Sequence, residues 1–89
     1  MFYTINNLNR AKKQEINLNN IIHIYYKIDI QREDNTAHTN IYLKFVNNEV
    51  MLIDFMTRST EDIDLLEKEA LKKLEYYKNE FNAALKGAK

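Results

Sequence analysis

Residues 21–31 read IIHIYYKIDIQ, with a large apolar side chain at every even position from Ile22 to Ile30. Alternation with period two marks a strand that buries one face. Residues 38–46 alternate in the same way. The polar stretch REDNTA lies between the two segments, with Asp34 and Asn35 as turn formers. Residues 49–56 follow as a third segment, after Asn47 and Asn48, a pair that tolerates the positive φ of a tight hairpin turn. These segments predict an antiparallel meander of at least three strands. FYTI at 2–5 and EINL at 15–18 are candidates for a fourth and a fifth. Residues 6–15, NNLNRAKKQE, are polar and read equally as a short capped helix or a loop.

From Thr60 to Lys86 the period changes. Ile63, Leu66, Ala70, Leu74, Tyr77, Phe81 and Leu85 recur at steps of three and four, forming an apolar helical stripe. Ser59 is the expected N-cap, with Asp62 as its capping partner. Glu61, Asp62 and Asp64 crowd the first turn and Lys86 lies in the last, as the helix dipole favours. Gly87, the only glycine, stands where a left-handed cap is expected. The predicted class is α+β: a meander with one long C-terminal helix on one face, forming a single domain over residues 1–89.

Turn geometry predicts which faces are buried. A two-residue loop at Asn47-Asn48 pairs Phe45 with Val50, Leu43 with Leu52 and Ile41 with Asp54. A four-residue loop at 33–36 pairs Ile28 with Ile41, Tyr26 with Leu43 and Ile24 with Phe45. Both registers put Ile24, Tyr26, Ile28, Ile41, Leu43, Phe45, Val50 and Leu52 on one face, under the helix. Asp54 is the misfit on that face, and implies either an open sheet end or a local slip of register.

The opposite face is then expected to carry Tyr25, Lys27, Tyr42, Lys44, Met51, Ile53 and Phe55, which is too apolar to stay in water. Its cover is either the N-terminal segment, with Phe2, Ile5, Leu8, Ile16 and Leu18 to bury, or a second copy or partner protein. A helix of this length, ~40 Å, overhangs a strand of ~33 Å. Phe81 and Leu85 lie on the overhang, where they either support dimerisation or meet the N-terminal segment. Tyr76, off the stripe, is a further candidate contact. The expected interface set is therefore Tyr25, Tyr42, Met51, Ile53, Phe55, Tyr76, Phe81 and Leu85, serving a homodimer or a protein partner.

Composition narrows the function. A hydrophobic share of 45% and a charged share of 29% suit a globular chain, and a formal net charge of zero argues against bulk electrostatic binding of nucleic acid. With no cysteine, disulfides, thiolate metal sites and a cysteine nucleophile are excluded. A cytoplasmic setting is expected, because MFYTINNLNRAKKQE has no apolar core after a basic start. No run approaches the ~20 apolar residues of a membrane span.

His23 and His38 fall near opposite ends of the predicted second face, roughly 27 Å apart, too far to share a metal ion or a proton. Glu61, Asp62, Asp64, Glu67 and Glu69 alternate with Lys68, Lys72 and Lys73 as on a solvated helix face. Thr57, Ser59 and Thr60 have no neighbouring histidine, and one glycine cannot make a phosphate loop. Neither enzymatic activity nor a cofactor nor a metal is expected. The expected function is a small non-enzymatic protein that occupies a surface on another protein. Size and an Asn-, Lys- and Ile-rich composition suit a phage- or plasmid-type inhibitor of a host or defence complex. The alternative is a single-stranded nucleic-acid-binding module, using the tyrosines and lysines of the second face.

Overall fold

The computed structural model describes residues 2–87 and is an α+β fold. Strands β3 (Ile21–Gln31), β4 (Thr36–Phe45) and β5 (Val50–Ser59) form an antiparallel sheet in the order β3-β4-β5. A separate two-stranded hairpin comes first, β1 (Phe2–Asn7) and β2 (Lys12–Asn17), followed by a short 3-10 turn at Leu18–Asn20. A second 3-10 turn at Thr60–Asp62 leads into helix α1 (Ile63–Lys86).

The helix stripe is as predicted from Leu66 to Phe81: Leu66, Ala70 and Phe81 are buried and Leu74 and Tyr77 pack against the core, whereas Leu85, its last member, is exposed. Its two caps differ from expectation. Ser59 accepts from the Glu61 N–H and so caps the 3-10 turn, while Asp62, which precedes α1, makes no side-chain cap bond. Gly87 is right-handed, at φ −75°, and its N–H closes on the Ala83 carbonyl in a final helical turn.

The two meander turns decide the sheet's faces. The loop between β3 and β4 has the predicted four residues but occupies 32–35, so Gln31 pairs with Thr36 and Tyr26 with Ile41. Sliding a loop of constant length by one residue changes each pairing by two, and side chains keep their faces. The loop between β4 and β5 is longer than predicted. Phe45 donates its N–H to the Glu49 carbonyl, leaving residues 46–48 as the loop with Asn48 at φ 68°. A three-residue turn ending in a left-handed residue shifts the register by one. Leu43 therefore faces Met51, and Met51 and Ile53 enter the core while Val50 is 43% exposed. The register is restored by a bulge at Ile53: Tyr42 pairs with Leu52, but Ile41 pairs with Asp54.

The N-terminal hairpin is a correction to the helix-or-loop reading of residues 6–15. Its turn spans 8–11 with Ala11 at φ 51°. It packs on the helix side of the sheet, beneath the far end of α1. Ile16 and Leu18 join the core with Phe81, and the Tyr3 ring meets Phe81 edge-on at 5.4 Å. Leu8 also donates its backbone N–H to the Leu52 carbonyl at the outer edge of β5. The overhanging helix tip is thus supported from within the chain, and the described residues leave the second sheet face open.

Candidate functional site: the open sheet face

The open face is built from cross-strand rows. Tyr25, Tyr42 and Leu52 share one row; Lys27, Asn40 and Phe55 the next; Asp29, His38 and Thr57 the one beyond. His23, Lys44 and Val50 complete it at the other end. One end is aromatic and apolar and the other polar. Phe55 stands 56% exposed at its middle.

The aromatic end is organised by stacking. The His23 and Tyr25 rings lie 5.1 Å apart at an interplanar angle of 15°, and Tyr25 and Tyr42 lie 5.3 Å apart at 26°. Near-parallel rings at these separations overlap in offset fashion, so each covers part of its neighbour's face. The Lys27 ammonium lies 5.9 Å from the centre of the Tyr42 ring. This explains why Tyr25 and Tyr42 are partly buried on a face that no other described element covers.

The polar end is held by side-chain bonds. His38 Nδ1 lies 2.9 Å from Thr57 Oγ1, and Asn40 donates to Asp29 at 3.4 Å. In this register His38 sits opposite Asp29, six places along the strand from His23, a separation of roughly 20 Å. Among the described residues, no group of three or more His, Cys, Asp or Glu side chains is placed to hold a metal ion. No described helix is long and apolar enough to cross a membrane.

The predicted interface set is divided among three places. Tyr25, Tyr42 and Phe55 are on the open face. Met51, Ile53 and Phe81 are instead in the core, with 4–6% exposure, and are not available to a partner. Tyr76 and Leu85 lie on the helix surface, away from the open face. Tyr76 rests edge-on against Tyr77 at 5.2 Å and flanks Tyr3, whereas Leu85 borders a groove beside β3. Leu52 and Val50 belong to the open face although turn geometry predicts them under the helix, and His23 is on the open face as predicted. For Leu52 and Val50 the deciding signal was the length of the β4–β5 loop.

On the helix side, Asp54 accepts hydrogen bonds from Lys73 Nζ and the Tyr77 hydroxyl, both at 2.8 Å. Burial, then the bond to Asp54 and its charge, push the Tyr77 hydroxyl well above the usual tyrosine range. Arg58 makes a two-pronged pair with Glu69 further along. The Lys73–Asp54 and Arg58–Glu69 ion pairs join the helix to the sheet, and being part-exposed each contributes at most about 1 kcal/mol. No protein-family model, curated protein or solved structure matches the chain.

Proposed function

We propose that this is a non-enzymatic binding protein that presents the open face of its three-stranded sheet to another protein. The observation that carries the reading is the arrangement of the aromatic side chains. An exposed Phe55 stands in the row next to that of Tyr25, Tyr42 and Leu52, with Lys27 in its own row and Lys44 beyond the tyrosines. An apolar centre with charged groups around it is the usual anatomy of a protein interface. Base stacking needs free ring faces. Here the His23, Tyr25 and Tyr42 faces are partly taken up by one another. That favours a protein partner over single-stranded nucleic acid. An accessory inhibitor of a larger complex, acting in a cytoplasm where a cysteine-free chain needs no disulfide, is the form of such a protein that its size suits.

The test compares wild type with Phe55→Asp as immobilised bait, together with binding of a fluorescent single-stranded oligonucleotide at low salt. A protein captured by wild type and lost with Phe55→Asp supports the reading. Salt-sensitive oligonucleotide binding that is lost in Tyr42→Ala/Lys44→Ala replaces it with the nucleic-acid reading.

A further inference from the structure

The two edges of the sheet differ in how they are protected. At the β5 edge, the Ile53 bulge interrupts the strand and the N-terminal hairpin donates a bond to Leu52. Bulges and covering elements are the usual defences against unwanted strand pairing. The β3 edge has neither along most of its length. Eleven residues, Ile21–Gln31, pair only with β4 among the described residues, and the single irregularity lies at the end, between Ile21 and His23. An unpaired edge of ~36 Å that is rich in isoleucine is a template for another strand.

The sequence of that edge is complementary to itself. With a two-fold axis through Tyr26, an antiparallel copy brings Tyr25 opposite Lys27 of the second copy and His23 opposite its Asp29, each pair formed twice. These are a lysine beside a tyrosine and a histidine beside an aspartate, both favourable cross-strand neighbours. On the helix side the same register sets Ile24 opposite Ile28, while Ile22, the extra residue of the bulge between Ile21 and His23, ends the ladder across from Ile30. Ile22 and Ile30 are 55% and 49% exposed in the single chain. Ile22 borders a groove of about 330 Å³ that is also lined by Leu18, Ile24, Phe81 and Leu85. In this register Ile30 of the second copy arrives at that groove.

We propose that the protein is a homodimer formed by antiparallel pairing of two β3 strands about Tyr26, joining the sheets of the two copies into one. The contact is isologous, as a two-fold interface requires. It also doubles the open face into a symmetric surface with Tyr25 and Lys27 at its centre. The proposal does not depend on what that surface binds.

Light scattering over a concentration series tests it. Wild type is expected at twice the 10.7 kDa monomer mass. Ile22→Lys/Ile30→Lys sets lysines opposite one another and is expected to raise the dimer dissociation constant at least tenfold, with unchanged circular dichroism. Ile22→Lys/Ile30→Glu restores opposite charges in the same register and is expected to recover the dimer. Asp29→Lys, at an exposed position outside the core, is expected to weaken the dimer in the same direction. It serves as the second variant should the double lysine chain fail to fold. A wild type that stays monomeric throughout overturns the proposal, as does a dimer indifferent to both lysine variants. A charge-swapped chain that remains monomeric overturns the Tyr26-centred register. Phe55→Asp leaves the mass unchanged, so this test and that of the open face fail separately.

Discussion

Ile53 and Asp54 are neighbours in β5, yet both side chains lie on the helix side of the sheet. Ile53 is 4% exposed in the core, and Asp54 accepts from Lys73 and Tyr77 of α1. Successive strand residues ordinarily point to opposite faces, and the bulge between the Ile41 and Tyr42 pairings is what permits the exception. The consequence is a sharp division between Ile53 and Phe55, two places apart. Ile53→Glu buries a carboxylate and should cost more than about 4 kcal/mol, enough to unfold much of the population. Phe55→Glu should change stability by no more than about 0.5 kcal/mol. Thermal melts of the two variants, followed by circular dichroism, check the face assignment.

Removing the Tyr77 hydroxyl leaves the Asp54 carboxylate with Lys73 and the Phe55 N–H. Tyr77→Phe should cost about 1–2 kcal/mol near neutral pH, from a lost bond to a charged acceptor. The pH dependence has a definite sign. The Tyr77 pKa is raised above the usual 10.0 in the folded chain, so its contribution is fully present below pH 10.0 and is lost as the pH climbs toward the folded value. Tyr3, raised chiefly by burial, acts in the same direction. Denaturant midpoints of wild type should fall above that pH, and those of Tyr77→Phe should fall less steeply.

Thr39 is fully buried between Ile28 and Met56, and its hydroxyl has no partner among the described residues. Valine has nearly the same shape without the hydroxyl. Thr39→Val should therefore stabilise the chain by about 1 kcal/mol, raising Tm by roughly 4–8 °C. A calorimetric scan reads the shift directly.

Ala11 closes the N-terminal hairpin at φ 51°, a conformation that an L-residue adopts at a cost of about 1–2 kcal/mol. Glycine has no such penalty but loses more chain entropy on folding. Ala11→Gly should give a net gain of about 0.5–1 kcal/mol, and Ala11→Val a loss. Equilibrium denaturation of the three proteins should rank them glycine, alanine, valine.

The sequence by itself determined the meander and the helix. Alternation in residues 21–31 and 38–46 and the stripe from Leu66 to Phe81 are local periodicities, readable wherever they occur. It determined the faces of β3 and β4 as well, since a four-residue loop displaced by one residue preserves parity. The hairpin at residues 2–17 was half-visible. Its strands alternate, but its turn ends on an alanine at positive φ, and no residue-type rule selects alanine there. Only the tertiary structure decided where β5 turns its apolar side chains. Residues 50–55, VMLIDF, are almost apolar throughout, so either parity buries good side chains and composition cannot choose between them. The choice rests on one extra loop residue at Asn48 and one bulge at Ile53, which exchange Val50 and Leu52 for Met51 and Ile53. The side on which the hairpin docks was likewise a tertiary outcome. Ile16 and Leu18 fit the space beneath Phe81, a space that exists only once the helix lies across the sheet.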